Sequence, residues 1–559
     1  MVRVEGQQII VETKTCRAVF DRGWLVELRA RAAGAPSWVA EVDASAGSAL
    51  TLVYANQPEV AVLSALGSSL SAHALSDSCA QYRFNGWDAD GVLTISECPE
   101  TGDVLVEPAA YSSRTGALAV RWRLGGFVDG LQLVAPFFQG TKLPVGDPLI
   151  QRRWAWPQHW EAGLAILEAP AGGGCWVHCR DTAYRPKALT VDAAGLGFET
   201  EAPGPLHTSR GSGGLVWRVN VYEGDWRVPA ATYRDWWWAA YGLDEQAARR
   251  PAWHEDIALA LSWYPGNLAL LEALAERVDM RRVLIHFHEW RTDRYDENYP
   301  TYTPTEHARE VIARANELGA HILPHANSVD MDPTHPAYAY LRDFEYREVG
   351  NLRRLGWAWD QEANTSLGPP NSNRALDSNR RRKVMVKIHP GLAMWRSILC
   401  EEIQSALAAA PNEAIFIDVT LCSHNLDQYF VENTSAPEGM NRLIRQLQGV
   451  NGGLVVAGEG LNEITSQGLS FCQAHLFHSW QATADGLGRV GGAALGDFIY
   501  GRLCRAFGYS NLTGDNEASE LRMKVHEQLG AIPTITVGRP EQITNPTPAV
   551  ARALDAAKG

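Results

Sequence analysis

The sequence predicts a multidomain protein, an N-terminal antiparallel β-sandwich followed by a (β/α)8 barrel of the TIM type. Three observations predict it. Short alternating apolar runs, divided by Gly- and Pro-rich turns, fill residues 1–250. From residue 251 onward strand-like and helix-like periodicities alternate. Two of the later apolar runs, Glu413-Ala-Ile-Phe-Ile-Asp418 and Leu454-Val-Val-Ala-Gly-Glu459, each stop abruptly at one carboxylate. A parallel strand buried on both faces reads as such a run, and its C-terminal end is where α/β barrels place their chemistry. At 559 residues the chain also exceeds what one hydrophobic core fills.

In the first part, Gln8-Ile-Ile-Val-Glu-Thr, Cys16-Arg-Ala-Val-Phe, Trp24-Leu-Val-Glu-Leu-Arg-Ala, Ala117-Leu-Ala-Val-Arg-Trp-Arg-Leu and Leu215-Val-Trp-Arg-Val-Asn-Val-Tyr have strand length and patterning. Ala33-Gly-Ala-Pro and Ala171-Gly-Gly-Gly are turns between them. Many short strands without long helices argue for packed antiparallel sheets. The Trp-rich segment from Gly224 to Trp238 ends this part in a short helix suited to sealing it against the next domain.

In the second part, Ile257-Ala-Leu-Ala-Leu-Ser is a strand, and Asn267 to Val278 has helical spacing. Arg282-Val-Leu-Ile-His-Phe-His is the next strand, followed by a helix from Thr305 to Leu318 that Gly319 stops. Ala320-His-Ile-Leu-Pro-His is the third strand. A long irregular insertion at about 328–388 comes next, then a helix from Leu392 to Ala410 leading into the Asp418 strand. Another helix, Pro437 to Leu447, leads into the Glu459 strand. Repeated strand–helix–strand units imply right-handed parallel crossovers, enough of them to close a barrel over residues 251–545. Ala474-His-Leu-Phe-His, Ala493-Ala-Leu-Gly-Asp497-Phe-Ile-Tyr and Pro533-Thr-Ile-Thr-Val are candidates for its last strands. Residues 546–559 read as a tail or short helix.

Composition excludes several classes. A net charge of −14 leaves no basic footprint, so nucleic acid is not an expected partner. No stretch reaches the roughly 18 apolar residues of a membrane span. The nine cysteines are odd in number and show no metal-ligand spacing, as expected of reduced thiols in a cytoplasmic protein. No leader is visible at Met-Val-Arg-Val-Glu-Gly, although a secreted chain with its leader removed reads identically. Homo-oligomerisation stays open. Twenty tryptophans fit carbohydrate binding, since flat aromatic faces pack on sugar C–H faces; core filling in β-rich domains explains them equally well.

Counted from residue 257, Asp418 ends the fourth strand and Glu459 the fifth. An Asp and a Glu on neighbouring strand ends are what glycoside hydrolysis needs; the alternative is a helix-capping Asp and a Glu paired with a surface Arg. Here the chain resembles a known group. Gly224-Asp-Trp, Tyr233-Arg-Asp-Trp, Tyr299-Pro-Thr-Tyr-Thr-Pro, Ile417-Asp-Val-Thr and Gly458-Glu-Gly-Leu-Asn-Glu are similar to retaining α-glycoside hydrolases of the α-amylase-related type. The likeness is strongest to the endo-α-N-acetylgalactosaminidase branch, over roughly residues 220–470. The resemblance implies Asp418 as nucleophile and Glu459 as general acid/base, acting on a carbohydrate substrate without cofactor or metal. Two acids at a barrel mouth also push each other's pKa values apart, as those roles require.

Other candidates surround the pair. His286 and His288 share a strand face. His288, Trp290 and Arg291 form a candidate hydroxyl clamp, and the His-x-His pair is also how amidohydrolase-like metal barrels begin. That rival needs further ligands, for which His325, His424, His475 and Asp497 are available in no ordered pattern. His325 and Asn327 end the third strand and are candidate sugar contacts, as are Trp263 and Tyr264, a candidate stacking platform ending the first. Asp497 is a candidate third acid that binds ring hydroxyls. Glu289 faces away from His288 by alternation. The insertion carries Trp357-Ala-Trp359-Asp360 and a basic run from Arg374 to Lys387, either a solvated face or an acceptor for an acidic sugar. Outside enzymes, a carbohydrate-binding protein on a degenerate barrel has the same residue pattern.

Overall fold

The structure, a computed structural model, describes the 559-residue chain except residues 43–46, 56–59, 62–68, 87–88, 146–151, 193–194, 361–364, 367–373, 376–381, 475–490 and 509–516. The N-terminal part is antiparallel throughout. A four-stranded meander of Val2–Glu5, Gln8–Glu12, Cys16–Asp21 and Trp24–Ala30 lies beside a six-stranded and an eleven-stranded sheet. Alternation sets their faces: in Ala89–Glu97 and Val104–Ser112 every second side chain is buried. The inward residues form one core, with Ile9 and Phe20 from the meander, Leu52 and Trp122 from the six-stranded sheet, and Ile95, Val106 and Trp217 from the largest. Phe198 and Trp217 meet across it at 5.2 Å between ring centroids. Among the described residues, Trp122, Trp154, Trp156, Trp160 and Trp217 are core here.

Eight parallel strands come next in chain order: Leu259–Tyr264, Val283–Phe287, His321–Asn327, Ala414–Asp418, Val455–Glu459, Phe471–Ala474, Arg505–Gly508 and Thr534–Ile535. Each pairs with the next in sequence, except that the seventh reaches the eighth through a single parallel bridge, Phe507 with Ile532. The eighth pairs back onto the first, so the barrel nearly closes. Alternation again decides what fills it. Ala260, Leu284, Leu323, Phe416, Ala457, Phe471 and Phe507 make one compact cluster. The intervening residues, Leu261, Ile285, Ile415 and Val456 among them, join an outer core with the helices.

Four helices succeed the first four strands: Leu268–Ala275, Glu306–Glu317, Ala393–Ala409 and Ala436–Gln448. Side chains of Asn267, Thr305 and Ser435 cap three of them by accepting backbone N–H groups of the first turn. Glu306–Glu317 buries Ala308, Val311, Ile312 and Ala315, the i, i+3, i+4, i+7 stripe that fixes it on the barrel. Strands five and six are joined through only a short 3-10 turn, Thr465–Gln467.

Two expectations are corrected. The run 493–500 holds a helix, Leu495–Tyr500, because Leu495 and Ile499 lie one turn apart and bury together. The insertion is not wholly irregular: Asp330–Met331, Leu355–Asp360 and Arg382–Lys387 belong to a small antiparallel sheet. Trp357 to Lys383, with the side chains of most of the basic run, and His475 lie outside the residues whose side chains are described.

The two parts are stitched together. Gly491–Gly492, from the barrel part, pairs with Thr141–Pro144 at the edge of the eleven-stranded sheet. The Trp-rich helix, Arg227–Tyr241, buries Tyr233 and Trp237 at the junction. There Trp156 Nε1 and the Tyr233 hydroxyl donate to the buried Glu463 carboxylate, and Trp237 Nε1 donates to its carbonyl at 2.9 Å. Glu463 lies four residues beyond Glu459, so this clasp also anchors the loop leaving the fifth strand. No helix among the described residues is long and apolar enough to cross a membrane.

Candidate active site

Period-two alternation continues the barrel interior upward: beyond Phe416 the next inward position is Asp418, and beyond Ala457 it is Glu459. Ile417 and Gly458 are register partners, so the two acids stand side by side on strands about 4.8 Å apart. Glu459 Oε2 accepts the Val419 N–H at 3.1 Å, the peptide immediately beyond Asp418. Val419 has a φ of 66°, a left-handed turn that lifts the chain away from the strand as soon as Asp418 has been placed. Ser328 ties that turn to the third strand by donating N–H and hydroxyl to the Asp418 carbonyl, at 3.0 and 2.6 Å.

Both carboxylates are buried, Asp418 at 7% and Glu459 at 6% exposure. The Tyr295 hydroxyl donates to Asp418 Oδ2 at 3.3 Å. Burial first, then the neighbouring charges of Glu459, Asp296 and Asp330, hold the Asp418 carboxyl well above the usual range, against an opposing pull from Lys387. Each carboxylate disfavours ionisation of the other at this spacing.

Lys387 reaches the site from the last strand of the insertion. Its Nζ lies 2.5 Å from Asp330 Oδ1, with both side chains sealed from solvent. Burial, the largest single influence, lowers Lys387, but the charge and hydrogen bond of Asp330, with Cys422 and Asp418, together raise it, and it stays cationic. Replacing Lys387 with Met leaves Asp330 buried without its partner. The expected loss is about 3–5 kcal/mol of stability, read by denaturant unfolding.

His286 and His325 point inward from strands two and three, and His286 Nε2 lies 3.0 Å from His325 Nδ1. Burial first, then His288 acting on His286 and His286 acting on His325, pushes each well below its usual value, so both are neutral. His325 Nε2 is buried without a hydrogen-bond partner and sits 3.8 Å from Asp418 Oδ2. His288 Nδ1 is likewise buried and unpartnered. Trp263, at a φ of 57°, turns its indole edge-on to His286 and His288, with centroids 5.1 Å apart in each case. Tyr295 lies 5.7 Å from the same ring. The structure therefore gathers Asp418, Glu459, His286, His288, His325 and Trp263 at one rim.

The other candidates are held by contacts within the protein. Tyr264, one residue past Trp263, packs outward against Phe287 and donates to the Asn267 carbonyl. Trp290 is buried, donates to the His325 carbonyl and stacks on Tyr302, which supports the site from behind. The Arg291 guanidinium is spent on the Arg294, Glu297 and Thr301 carbonyls and lies over the Tyr299 ring, organising the loop after strand two. Asn327 closes a turn onto the Val329 and Asp330 amides and donates to the Asp330 carboxylate. Asp497 lies beside Gly501 and Gly530 near Arg505, the first residue of strand seven, which is the opposite end of the barrel. Glu289 is exposed.

Sequence reasoning missed Tyr295, Asp296, Asp330 and Lys387. The first two sit in an aperiodic loop, where only the density of acids and aromatics in Asp293-Arg-Tyr-Asp-Glu-Asn could have flagged them. Among the described residues, no three His, Cys, Asp or Glu side chains converge as a metal-ligand set.

Residues 215–440 match a family described as a domain of unknown function, DUF6259. No curated protein matches the chain. Among solved structures, the ligand-free alpha-N-acetylgalactosaminidase NagBb from Bifidobacterium bifidum superimposes with a TM-score of 0.65 at 13% identity, covering 100% of this chain and 93% of that one. Its GalNAc complex gives 0.61 at 14% identity over 90% and 84%. The GH36 alpha-galactosidase AgaA from Geobacillus stearothermophilus gives 0.47 at 9% identity over 98% and 85%. Despite the low identity, this chain and NagBb share one fold along nearly their whole lengths.

Proposed function

We propose that this protein is an α-glycoside hydrolase acting with retention, a catalytic (β/α)8 barrel backed by an N-terminal β-sandwich. The observation that carries the reading is the side-by-side burial of Asp418 and Glu459 at the ends of strands four and five, where each acid opposes ionisation of the other. In this reading Asp418 attacks the anomeric carbon while Glu459 delivers the proton to the departing oxygen. Glu459 then takes a proton from water, and that water opens the glycosyl–Asp418 ester. Tyr295 orients the nucleophile through its hydrogen bond to Oδ2. The Lys387 charge pulls the Asp418 carboxyl toward the anion, against the burial and neighbouring acids that raise it.

Sugar recognition falls to groups on the same rim. His325 Nε2 and His288 Nδ1 are buried and unpartnered, and a ring hydroxyl satisfies each. Trp263 offers an aromatic ring beside them. The fold shared with an alpha-N-acetylgalactosaminidase makes α-N-acetylgalactosaminides and α-galactosides the first substrates to try. A panel of aryl glycosides in both anomeric forms tests the proposal. The expected result is turnover of an α-anomer, with the α-sugar as first-formed product by NMR. Turnover of β-glycosides alone, or a β-sugar as first product, overturns it.

A further inference from the structure

A cavity of about 520 Å³ opens at the other end of the barrel. It is lined by Arg249, Arg250 and Arg445, with Gly452, Gly453 and Ser470 among the rest. Val455 and Phe471 begin strands five and six, so these residues sit at the strands' N-terminal ends, away from Asp418 and Glu459.

The charges in this cavity are unbalanced. Arg250 donates only to the backbone carbonyls of Gln467, Gly468, Leu469 and Leu503. Arg445 donates only to the neutral amides of Asn441 and Gln467, at 2.9 and 3.4 Å. Arg249 is exposed and has no partner at all among the described residues. No carboxylate in the described chain pairs with any of the three, in a protein whose net charge is −14. Burial, joined by repulsion from Arg445, pulls even the Arg250 guanidinium down to about 10. Gly452 and Gly453 hold φ values of 80° and 144°, and a Cβ at either would meet open space. The rim there is bare backbone beside three cations.

We infer that this cavity binds a phosphate-bearing small molecule, held by Arg249 and Arg445 with Arg250 as a fixed cationic floor. Guanidinium groups match phosphate oxygens in pairs, and three of them facing one space without a counter-ion favour a multiply charged anion over a lone carboxylate. The cavity has room for a sugar phosphate or a pyrophosphate group.

Titration calorimetry with inorganic pyrophosphate and with a hexose 6-phosphate, at matched ionic strength, tests this on the whole chain. The expected result is a Kd below about 1 mM for one of the two probes. R249Q and R445Q should each weaken it, and the double variant should weaken it by about tenfold or more. Both residues are exposed, so the variants should keep the parent melting temperature; Arg250 is left intact because it ties four carbonyls together. D418N should bind the probe as the parent does, which separates this cavity from the barrel mouth and from any question of glycosidase activity. No heat with either probe, or affinity undiminished in the double variant, overturns the inference.

Discussion

Asp418→Asn is expected to lower turnover of an aryl α-glycoside by at least about 10⁴-fold, in kcat rather than KM. The substitution keeps the shape of the side chain, and the carbonyl of an amide still accepts the Tyr295 hydroxyl. In the proposed mechanism it removes the anion that bonds to the anomeric carbon, and nothing nearby replaces it: Asp330 is committed to Lys387, and Glu459 is assigned the proton. Sugar binding, monitored by tryptophan fluorescence, should persist.

The same variant carries a stability signature that a merely structural Asp would not give. The folded-state pKa of Asp418 is raised, by burial first and then by Glu459, Asp296 and Asp330. Below the unfolded-state value of about 3.9 the proton is present in both states and the substitution is neutral. As pH rises through the window up to the folded value, the native protein holds a proton that the unfolded chain has released, and stability falls. Asn mimics the protonated acid. D418N should therefore melt above the parent at pH 7, with the gain vanishing toward pH 4; a parent that is the more stable at pH 7 would show that Asp418 is held as a favourable structural anion.

Glu459→Ala should act through the leaving group. For a poor leaving group that needs protonation, the expected loss is about 10²–10⁴-fold. For an activated aryl glycoside the first step survives and the second becomes limiting, because no base activates water. Added azide, which needs no base, should then restore turnover and give an α-glycosyl azide. A loss that is the same for every leaving group and insensitive to azide assigns Glu459 a structural role, such as holding the Val419 turn.

The sequence revealed this site unevenly, and the physical reasons differ by residue. Asp418 and Glu459 stood out because each interrupts an apolar strand run, and period-two alternation carried both to the barrel interior with His286 and His325. The same rule separates Trp263 from Tyr264 but, counted from Ala260, puts Tyr264 inward; the left-handed Trp263 at φ 57° and the register shift there reverse this and send Tyr264 to the outer core. Trp290 and Arg291 lie past the end of their strand, where alternation says nothing and loop carbonyls claim the side chains. Asp497 sits in a short apolar run that suits a strand or a helix equally, and burial of Leu495 with Ile499 decided for helix. The Asp330–Lys387 pair was illegible, because it joins residues 57 positions apart across the insertion and has no local pattern. Clasping of Glu463 by Trp156 and Tyr233 was equally silent, being a contact between two parts of the chain that the sequence reads separately.

The most direct measurement is peptide mass analysis after mixing the Glu459→Gln variant with an activated aryl α-glycoside. The proposed mechanism predicts one glycosyl group, attached to the peptide that carries Asp418 and accumulating because the second step is slow. An adduct on Asp296 or Asp330, or none while the free sugar is still released, would contradict it.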